Sequence, residues 1–315
     1  MDINKANQLE PIERYFYWIN ERHAIYQKRI QGFAPPWTED YILKNYKFTN
    51  PFRENDKVTI WMRNNWTKPN GNRSIGEIIF NCCLFRMVGT TEFADEHKWV
   101  TENWGWDSQT TKNLIEHRID NKLRTFTGAY IITNQGLKLP KGEVVVDYFL
   151  KPIWENKERL AEVATKTNSL QEVHRAMLAY KGWGGGGFMS YEVVTDLNHT
   201  NVLDTATDRF TWANAGPGAK RGLNRIHAKP LTQAMNQHQA NIQMQNLLQK
   251  ASKHLLGHVP IEEVDMRTIE HSLCEWDKWE RVRLGQGTPR SRYNPDKAYK
   301  DKEFLETGSV GNVVS

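Results

Sequence analysis

One stretch constrains this chain more than any other: Met177-Leu-Ala-Tyr-Lys-Gly-Trp-Gly-Gly-Gly-Gly-Phe-Met-Ser-Tyr-Glu-Val-Val-Thr-Asp-Leu197. An apolar helix end (Met177, Leu178, Tyr180) runs into a glycine hairpin from Gly182 to Gly187. A second helix follows, with Phe188, Tyr191, Val194 and Leu197 on one face. Glycine admits positive φ and lets another backbone approach closely, so the segment reads as a helix, hairpin, helix unit that brings an external group to the main chain. A phosphate is the group that fits, because successive N–H groups ahead of a helix N-terminus grip the backbone of a nucleic acid. Lys181, Gly182, Trp183, Gly184, Gly186, Gly187 and Phe188 are therefore the candidate DNA contacts. A nucleotide-triphosphatase loop would need Gly-Lys-Ser or Gly-Lys-Thr after a buried strand, whereas Gly187 is followed by Phe188 and Met189. The alternative, a bare connector between helices, is usually polar; this one carries Trp183, Phe188 and Met189.

Composition narrows the function classes. At 315 residues the chain can bury a large core, and no apolar run approaches the roughly 20 residues of a membrane span. Three cysteines (Cys82, Cys83, Cys274) make neither a disulfide framework nor a metal-spaced pair, and Cys82 and Cys83 fall on an apolar helix. His254 and His258 are the one i,i+4 histidine pair, interrupted by Gly257 and without an acidic neighbour. The expectation is a reducing, cytoplasmic setting with no fixed metal or cofactor, magnesium entering only transiently with a phosphate-bearing substrate. The formal charge of +5 permits a nucleic-acid partner without demanding one, and twelve tryptophans add rings able to stack on bases.

Read in order, the pattern is mainly α. A helix is expected over 10–31, with Pro11 in its first turn, Gly32 as its stop, and an anion-binding stripe of Arg14, Trp18, Glu21, Arg22 and Arg29. Further helices are expected over 38–44, 56–65, 76–87, 110–123 and 154–165, and a capping box of Ser169 and Glu172 opens the helix before the hairpin. Phe126–Thr133 and Val144–Val146, around Asn134-Gln-Gly136, read as a small β hairpin. Gly216-Pro-Gly218 reads as a chain break where Lys220, Arg221 and Arg225 gather. A Gln- and Asn-rich helix over 231–256 faces solvent or a partner, and the last helix, 265–284, carries Glu275, Trp276, Asp277, Lys278, Trp279, Glu280, Arg281 and Arg283. Residues 1–293 are expected to form one helical domain, as a single body or as two lobes (1–150 and 151–293) with a cleft between them. The polar tail 294–315 is expected to be disordered.

Two resemblances follow from these blocks. The unit around Gly182 to Leu197 resembles the helix-hairpin-helix of DNA base-excision glycosylases, whose catalytic loop would correspond to Thr211–Arg225. Asn214 stands where that family carries an aspartate, and Asp208 is the nearest carboxylate. Nearly the whole chain is similar to phage thymine-hypermodification proteins, the α-glutamyl/putrescinyl-thymine pyrophosphorylases and the helical domain of hydroxymethyluracil DNA kinase. That likeness rests on Glu13–Arg22, Phe126–Tyr130, Gly182–Asp196, Gly216–Arg225 and Leu273–Gly285.

The first resemblance implies a helix-hairpin-helix, glycosylase-like fold, and the second an enzyme acting in the infected bacterial cell. Its substrate would be double-stranded DNA in which a thymine methyl has been hydroxylated and pyrophosphorylated, and an amino acid or polyamine would displace pyrophosphate, alongside other phage DNA-modification enzymes. Such a site needs donors for the leaving group, a carboxylate for the amine and a means of extruding the base. Arg221, Arg225, Lys220, Arg281 and Arg283 are the implied donors, and Glu275, Asp277 and Glu280, beside Lys278, the implied carboxylate set. Arg22 and Asn214 are further substrate contacts, and Trp183, Phe188, Trp212 and the Gly218 turn the DNA contacts. Two other readings stand beside it: a non-catalytic DNA-binding helical partner of a hydroxymethyluracil DNA kinase, and a base-excision glycosylase. The same charges at three- and four-residue spacing also make ordinary surface salt bridges.

Overall fold

The computed structural model describes residues 6–101, 103 and 105–300. The chain forms two compact units, one from the residues up to Ile60 together with those from Phe210 onward, the other from Trp61–Arg209. The division does not fall at residue 150, because the first long helix packs against helices from the end of the chain.

In order, the helices are α1 (Pro11–Ile30), α2 (Tyr41–Asn45), α3 (Lys57–Met62), α4 (Ile75–Val88), α5 (Thr91–His97) and α6 (Ser108–Asp120). A composite α7 (Lys141–Glu143, Val144–Leu150, Lys151–Glu155) follows, then α8 (Lys157–Thr167), α9 (Leu170–Met177), α10 (Phe188–Leu197), α11 (Pro217–Ile226), α12 (Gln237–His254), α13 (Met266–Arg283) and α14 (Pro295–Lys300). The protein is thus mainly helical. No helix among the described residues is long and apolar enough to cross a membrane. Of the tail, 295–300 is helical, and 301–315 lies outside the described residues.

The described residues contain no strand, only an isolated bridge between Tyr46 and Arg292, so the β hairpin is corrected. Phe126–Thr133 is irregular, and Val144–Val146 begin a π-helical turn inside α7. All three valines are fully buried. A short β-branched run buried on every side has no period to distinguish strand from helix, and tertiary packing overrides its propensity.

In the first unit α1 is the central rod. Glu10 and Glu13 make a reciprocal capping box, with Pro11 in the first turn. Trp18 and Arg22, expected on an anion-binding stripe, are buried. Arg22 donates from Nε and Nη2 to the Phe48 carbonyl at 3.3 and 3.2 Å, and burial lowers its pKa. Packed beside α1, α13 is capped by Asp265, whose carboxylate accepts the Thr268 amide at 2.9 Å. Trp276 and Trp279, which interleave the charges of α13, belong to the core, at 0% and 1% exposure. Truncating either to alanine should cost about 3–5 kcal/mol.

The Gln- and Asn-rich α12 is neither a plain solvent face nor a free surface. Asn241 exchanges two hydrogen bonds with the Ala213 backbone (2.8 and 3.0 Å), and Gln237 does the same with Ala215 (2.9 and 3.0 Å). Gln245 donates to the Thr211 carbonyl at 2.7 Å. Side-chain amides thereby satisfy an irregular segment that has no strand partner. That segment delivers the chain to α11.

In the second unit the fully buried α4 meets α10 through a bidentate pair, Arg86 to Asp196, at 2.5 Å on both nitrogens. Cys82 and Cys83 lie in this core. The hairpin joins α9 to α10, with Gly182, Gly185 and Gly187 at positive φ. Asp208 caps α9: its carboxylate accepts the amides of Leu170 and Gln171 at 2.8 and 2.9 Å and the Ser169 hydroxyl at 2.7 Å. Ser169 accepts the Glu172 amide, but Glu172 pairs with Arg175, so only half of the capping box forms.

Candidate functional site

Along α13 the part-exposed positions His271, Cys274, Lys278 and Arg281 recur at steps of three, four and three residues, which puts them on one face. Around them sit four buried carboxylates, Glu270, Glu275, Asp277 and Glu280. A carboxylate withdrawn from water is stable only if it is paired, and the partners give three of these groups different roles.

Glu275 grips the ammonium of its neighbour Lys278 at 2.7 and 2.9 Å and accepts the Thr49 amide at 3.0 Å; the same ammonium lies 4.5 Å from the centre of the Phe48 ring. Glu280 holds Arg14 at 3.0 Å and both Nε and Nη2 of Arg283, at 2.9 and 2.7 Å. Arg14 also donates to the Leu9 carbonyl, and Arg283 to Asn7. Both arginines are nearly buried, so Glu280 and Arg283 tie the N-terminal segment to α13. Arg283 is thereby corrected from a substrate contact to a structural one.

Asp277 is organised differently. It is wholly buried, yet it accepts Nε of Arg221 at 2.9 Å and Nε of Arg225 at 2.8 Å, with Nε of Arg281 at 3.7 Å. Three guanidinium groups on one carboxylate leave two positive charges uncompensated. Arg225 is 7% exposed and donates its Nη2 to Gln286 at 2.8 Å, so it lies underneath. The side chains of Arg221 and Arg281 are 38% and 40% exposed. Their outer nitrogens meet no acceptor among the described residues. Lys220, part-exposed, precedes Arg221 on α11. The result is a pair of forked donors, Arg221 pinned by its inner edge and Arg281 drawn in beside it, whose outer edges face out, a geometry that can receive a phosphate bidentately.

This arrangement follows from how α11 packs. Gly216 is its N-cap and Pro217 its first residue, so Gly216-Pro-Gly218 starts a helix and does not break one. A Cβ on Gly218 would stand 2.4 Å from the Cys274 sulfur, and one on Gly222 2.7 Å from the Leu273 carbonyl oxygen. The glycine face of α11 thus lies flat on α13, and Arg221 and Arg225, one turn apart, fall on either side of Asp277. Gly218 is a packing residue, not a DNA contact.

Thr49 and His271 lie further along the stripe, with Thr49 Oγ1 2.5 Å from His271 Nε2. Burial, and then the charges of Arg53, Arg267 and Lys278, hold this imidazole well below its usual pKa, so it is neutral at pH 7. Burial pushes the Cys274 thiol up to about 12, which leaves it unreactive. Sequence reasoning missed Thr49, His271 and Gln286, because partners 222 residues apart in one case carry no local signal.

The remaining candidates divide between surface and core. Asn214 is buried and accepts a hydrogen bond from Gln237 at 3.0 Å, and Trp212 is buried as well, so both belong to the clasped segment. Trp183 is wholly buried, its indole N–H on the Phe149 carbonyl at 2.9 Å, so its ring is not presented to a ligand. Gly182 and Gly187 are held against Phe149 and His174, where a Cβ would come within 2.5 Å of each, and a Cβ on Gly184 would stand 2.9 Å from the Leu178 carbonyl oxygen. Exposed at the hairpin are Lys181, Gly185, Gly186 and Phe188, the last 49% accessible and edge-on to Tyr130. His254 stacks on Phe16, and His258 bonds the Asn20 carbonyl.

Comparison with known proteins places these helices. The family model described as "5-hmdU DNA kinase, helical domain" matches residues 10–288. The chain belongs to this family. It is also 25% identical over 292 residues to a curated protein of Bacillus phage SP10, "5-hmdU DNA kinase", covering 85% of this chain and 44% of that one. The chain therefore spans less than half the length of the curated relative it matches. No solved structure matches. The matched span includes both α11 and α13 and the hairpin, so these are features of a member of the family's helical domain.

Proposed function

We propose that this protein modifies 5-hydroxymethyl-deoxyuridine in phage DNA within the infected bacterial cell, transferring an amine-bearing group to the base after its hydroxyl has been converted to a diphosphate ester. The observation that carries this reading is the outward-facing pair Arg221, hydrogen-bonded to buried Asp277, and Arg281, which lies beside it. In the transfer, the amine nitrogen attacks the exocyclic methylene carbon, the carbon–oxygen bond breaks, and diphosphate leaves with the bonding pair. Negative charge grows on the departing oxygen, so forked donors aimed there lower the barrier more than they tighten substrate binding.

Glu275 serves the amine. Its two oxygens already receive the Lys278 ammonium, so an incoming ammonium of the same shape can exchange with it, and the proton the nitrogen loses passes to that carboxylate and on to water. The hairpin and Phe188, on a helix-hairpin-helix of the glycosylase kind, hold the DNA strand through exposed amides and a ring. The sequence has no Gly-Lys-Ser or Gly-Lys-Thr phosphate loop, so the phosphorylation itself is assigned to another polypeptide segment.

One observation favours a second reading, a DNA-binding partner of a kinase: the chain matches only part of a protein named for that activity. Release of diphosphate from a duplex carrying the diphosphorylated base separates the two. The transferase releases it only when an amine is supplied, and a pure binding partner does not release it at all. The glycosylase reading loses its nearest carboxylate, because Asp208 is occupied as the cap of α9.

A further inference from the structure

The two clusters one turn apart on α13 form an internal comparison. Glu280 and its arginines saturate one another, whereas Asp277 engages only the inner edge of Arg221 and approaches only the inner edge of Arg281. Nε of Arg281 is buried, makes no hydrogen bond and stands 3.7 Å from Asp277. A guanidinium held by its inner edge, as Arg221 is at 2.9 Å, keeps its remaining nitrogens aimed in one direction, and the charge of Asp277 draws Arg281 towards the same place without a hydrogen bond. Two such groups, one from α11 and one from α13, converge over a carboxylate that no solvent reaches.

We propose that Asp277 is a positioning residue: it neither meets the amine nor takes its proton, but aligns Arg221 and Arg281 as a socket for inorganic diphosphate, the leaving group of the reaction proposed above. The socket is built for a ligand with two linked phosphoryl groups, since its forked donors come from different helices and each can take one group bidentately. Lys220 adds a third charge at the rim. Removing the Asp277 charge has opposing effects on ligand binding, because the site becomes more positive while its donors lose their alignment. Diphosphate in the ground state is therefore held about as well as before, and the departing diphosphate of the transition state, which needs fixed donors, is not.

The test uses the full chain with inorganic pyrophosphate and inorganic phosphate as calorimetric probes, and amine transfer to diphosphorylated duplex as the kinetic readout. The wild type should bind pyrophosphate at one site, at least about tenfold more tightly than phosphate. Asp277→Asn should lower kcat by about tenfold or more, with KM for DNA and pyrophosphate affinity each within about threefold of wild type. Glu280→Gln is the control, expected to lower the unfolding midpoint without moving kcat. Should Asp277→Asn fail to fold, Arg221→Lys on the part-exposed rim takes its place. A lysine cannot bridge Asp277 and the ligand together, so the same fall in kcat is expected, here with weaker pyrophosphate binding, since the charge is unchanged and one forked donor is lost.

A folded Asp277→Asn or Arg221→Lys protein with wild-type kcat overturns the positioning role. Equal affinity for phosphate and pyrophosphate overturns the socket. The proposed function fails separately: a wild type that binds pyrophosphate at this site but transfers no amine keeps the socket and loses the reaction.

Discussion

Substituting Gly222 by alanine tests whether the glycine face of α11 is what places the arginines. Taken as an isolated helix position, the change should stabilise, since glycine in a helix interior is about 1 kcal/mol worse than alanine. The packing predicts the opposite sign. A Cβ at residue 222 would lie 2.7 Å from the Leu273 carbonyl oxygen and 3.2 Å from Leu273 C and Cβ, and ordinary contact begins near 3.4 Å. The obstacle is backbone, so the helices must part by about 0.7 Å (3.4 − 2.7). Overpacking of this kind costs about 1–3 kcal/mol, so after the propensity gain the net effect runs from about neutral to a loss of about 2 kcal/mol. Because Arg221 and Arg225 ride on α11 and Asp277 on α13, the same displacement loosens their 2.9 and 2.8 Å contacts, and pyrophosphate binding should weaken with stability. Urea unfolding followed by tryptophan fluorescence, together with calorimetry, makes both measurements. A Gly222→Ala protein stabilised by about 1 kcal/mol, with unchanged anion binding, would refute the close-packing argument.

Other consequences are as direct. Asp208→Ala should cost about 1–2 kcal/mol through the uncapped α9 and leave any chemistry on DNA intact; a selective loss of turnover at normal stability would return Asp208 to the candidate site. In the hairpin, Gly186 has no atom within 4 Å of an added Cβ, whereas Gly184 meets the Leu178 carbonyl oxygen. Gly186→Val should therefore keep the fold and weaken duplex binding, while Gly184→Val destabilises; a folded Gly186→Val protein with wild-type DNA affinity would remove the hairpin as the contact. Acid should destabilise the first unit. Burial lowers the pKa of His23 to about 4 from an ordinary 6.5, so between those values the unfolded chain binds the proton more readily and stability falls as pH falls. Denaturation of wild type and His23→Gln at pH 7 and pH 5 checks this, and an equal drop in both would assign the effect elsewhere.

The rods of this fold were legible where local chemistry and burial agree. Helix α1 carries its proline and its stop in sequence, and α13 its charges and tryptophans. The valines of α7 were not legible, since full burial erases the periodicity that separates strand from helix. Gly216, Pro217 and Gly218 read as a break because composition reports what glycine permits, while only the neighbour, Cys274, shows that its missing side chain is what matters here. The polar face of α12 reads as facing solvent or a partner, without saying which, because the segment it clasps, 211–216, is irregular and has no pattern of its own.

The candidate site was half visible in the same sense. That α13 holds acids and bases in alternation is plain from residues 275–283. Which acid holds the α11 arginines, which holds Arg14 and which takes the Thr49 amide depends on Arg14, Thr49, Arg221 and Arg225, none of them near α13 in sequence. Glu275, Asp277 and Glu280 are equivalent as letters and distinct only through those partners.

Nucleoside mass spectrometry reads a transfer at the exocyclic carbon of a diphosphorylated base without an intermediary. Duplex DNA carrying the diphosphorylated 5-hydroxymethyl-deoxyuridine is incubated with the protein and a mixture of amino acids and polyamines, then digested to nucleosides. The expected product is a new nucleoside whose mass equals 5-hydroxymethyl-deoxyuridine plus one amine donor minus water, formed one-for-one with free diphosphate and about tenfold or more slowly by Arg221→Lys. Recovery of the unchanged diphosphorylated nucleoside, or of an abasic site with free base, would contradict it.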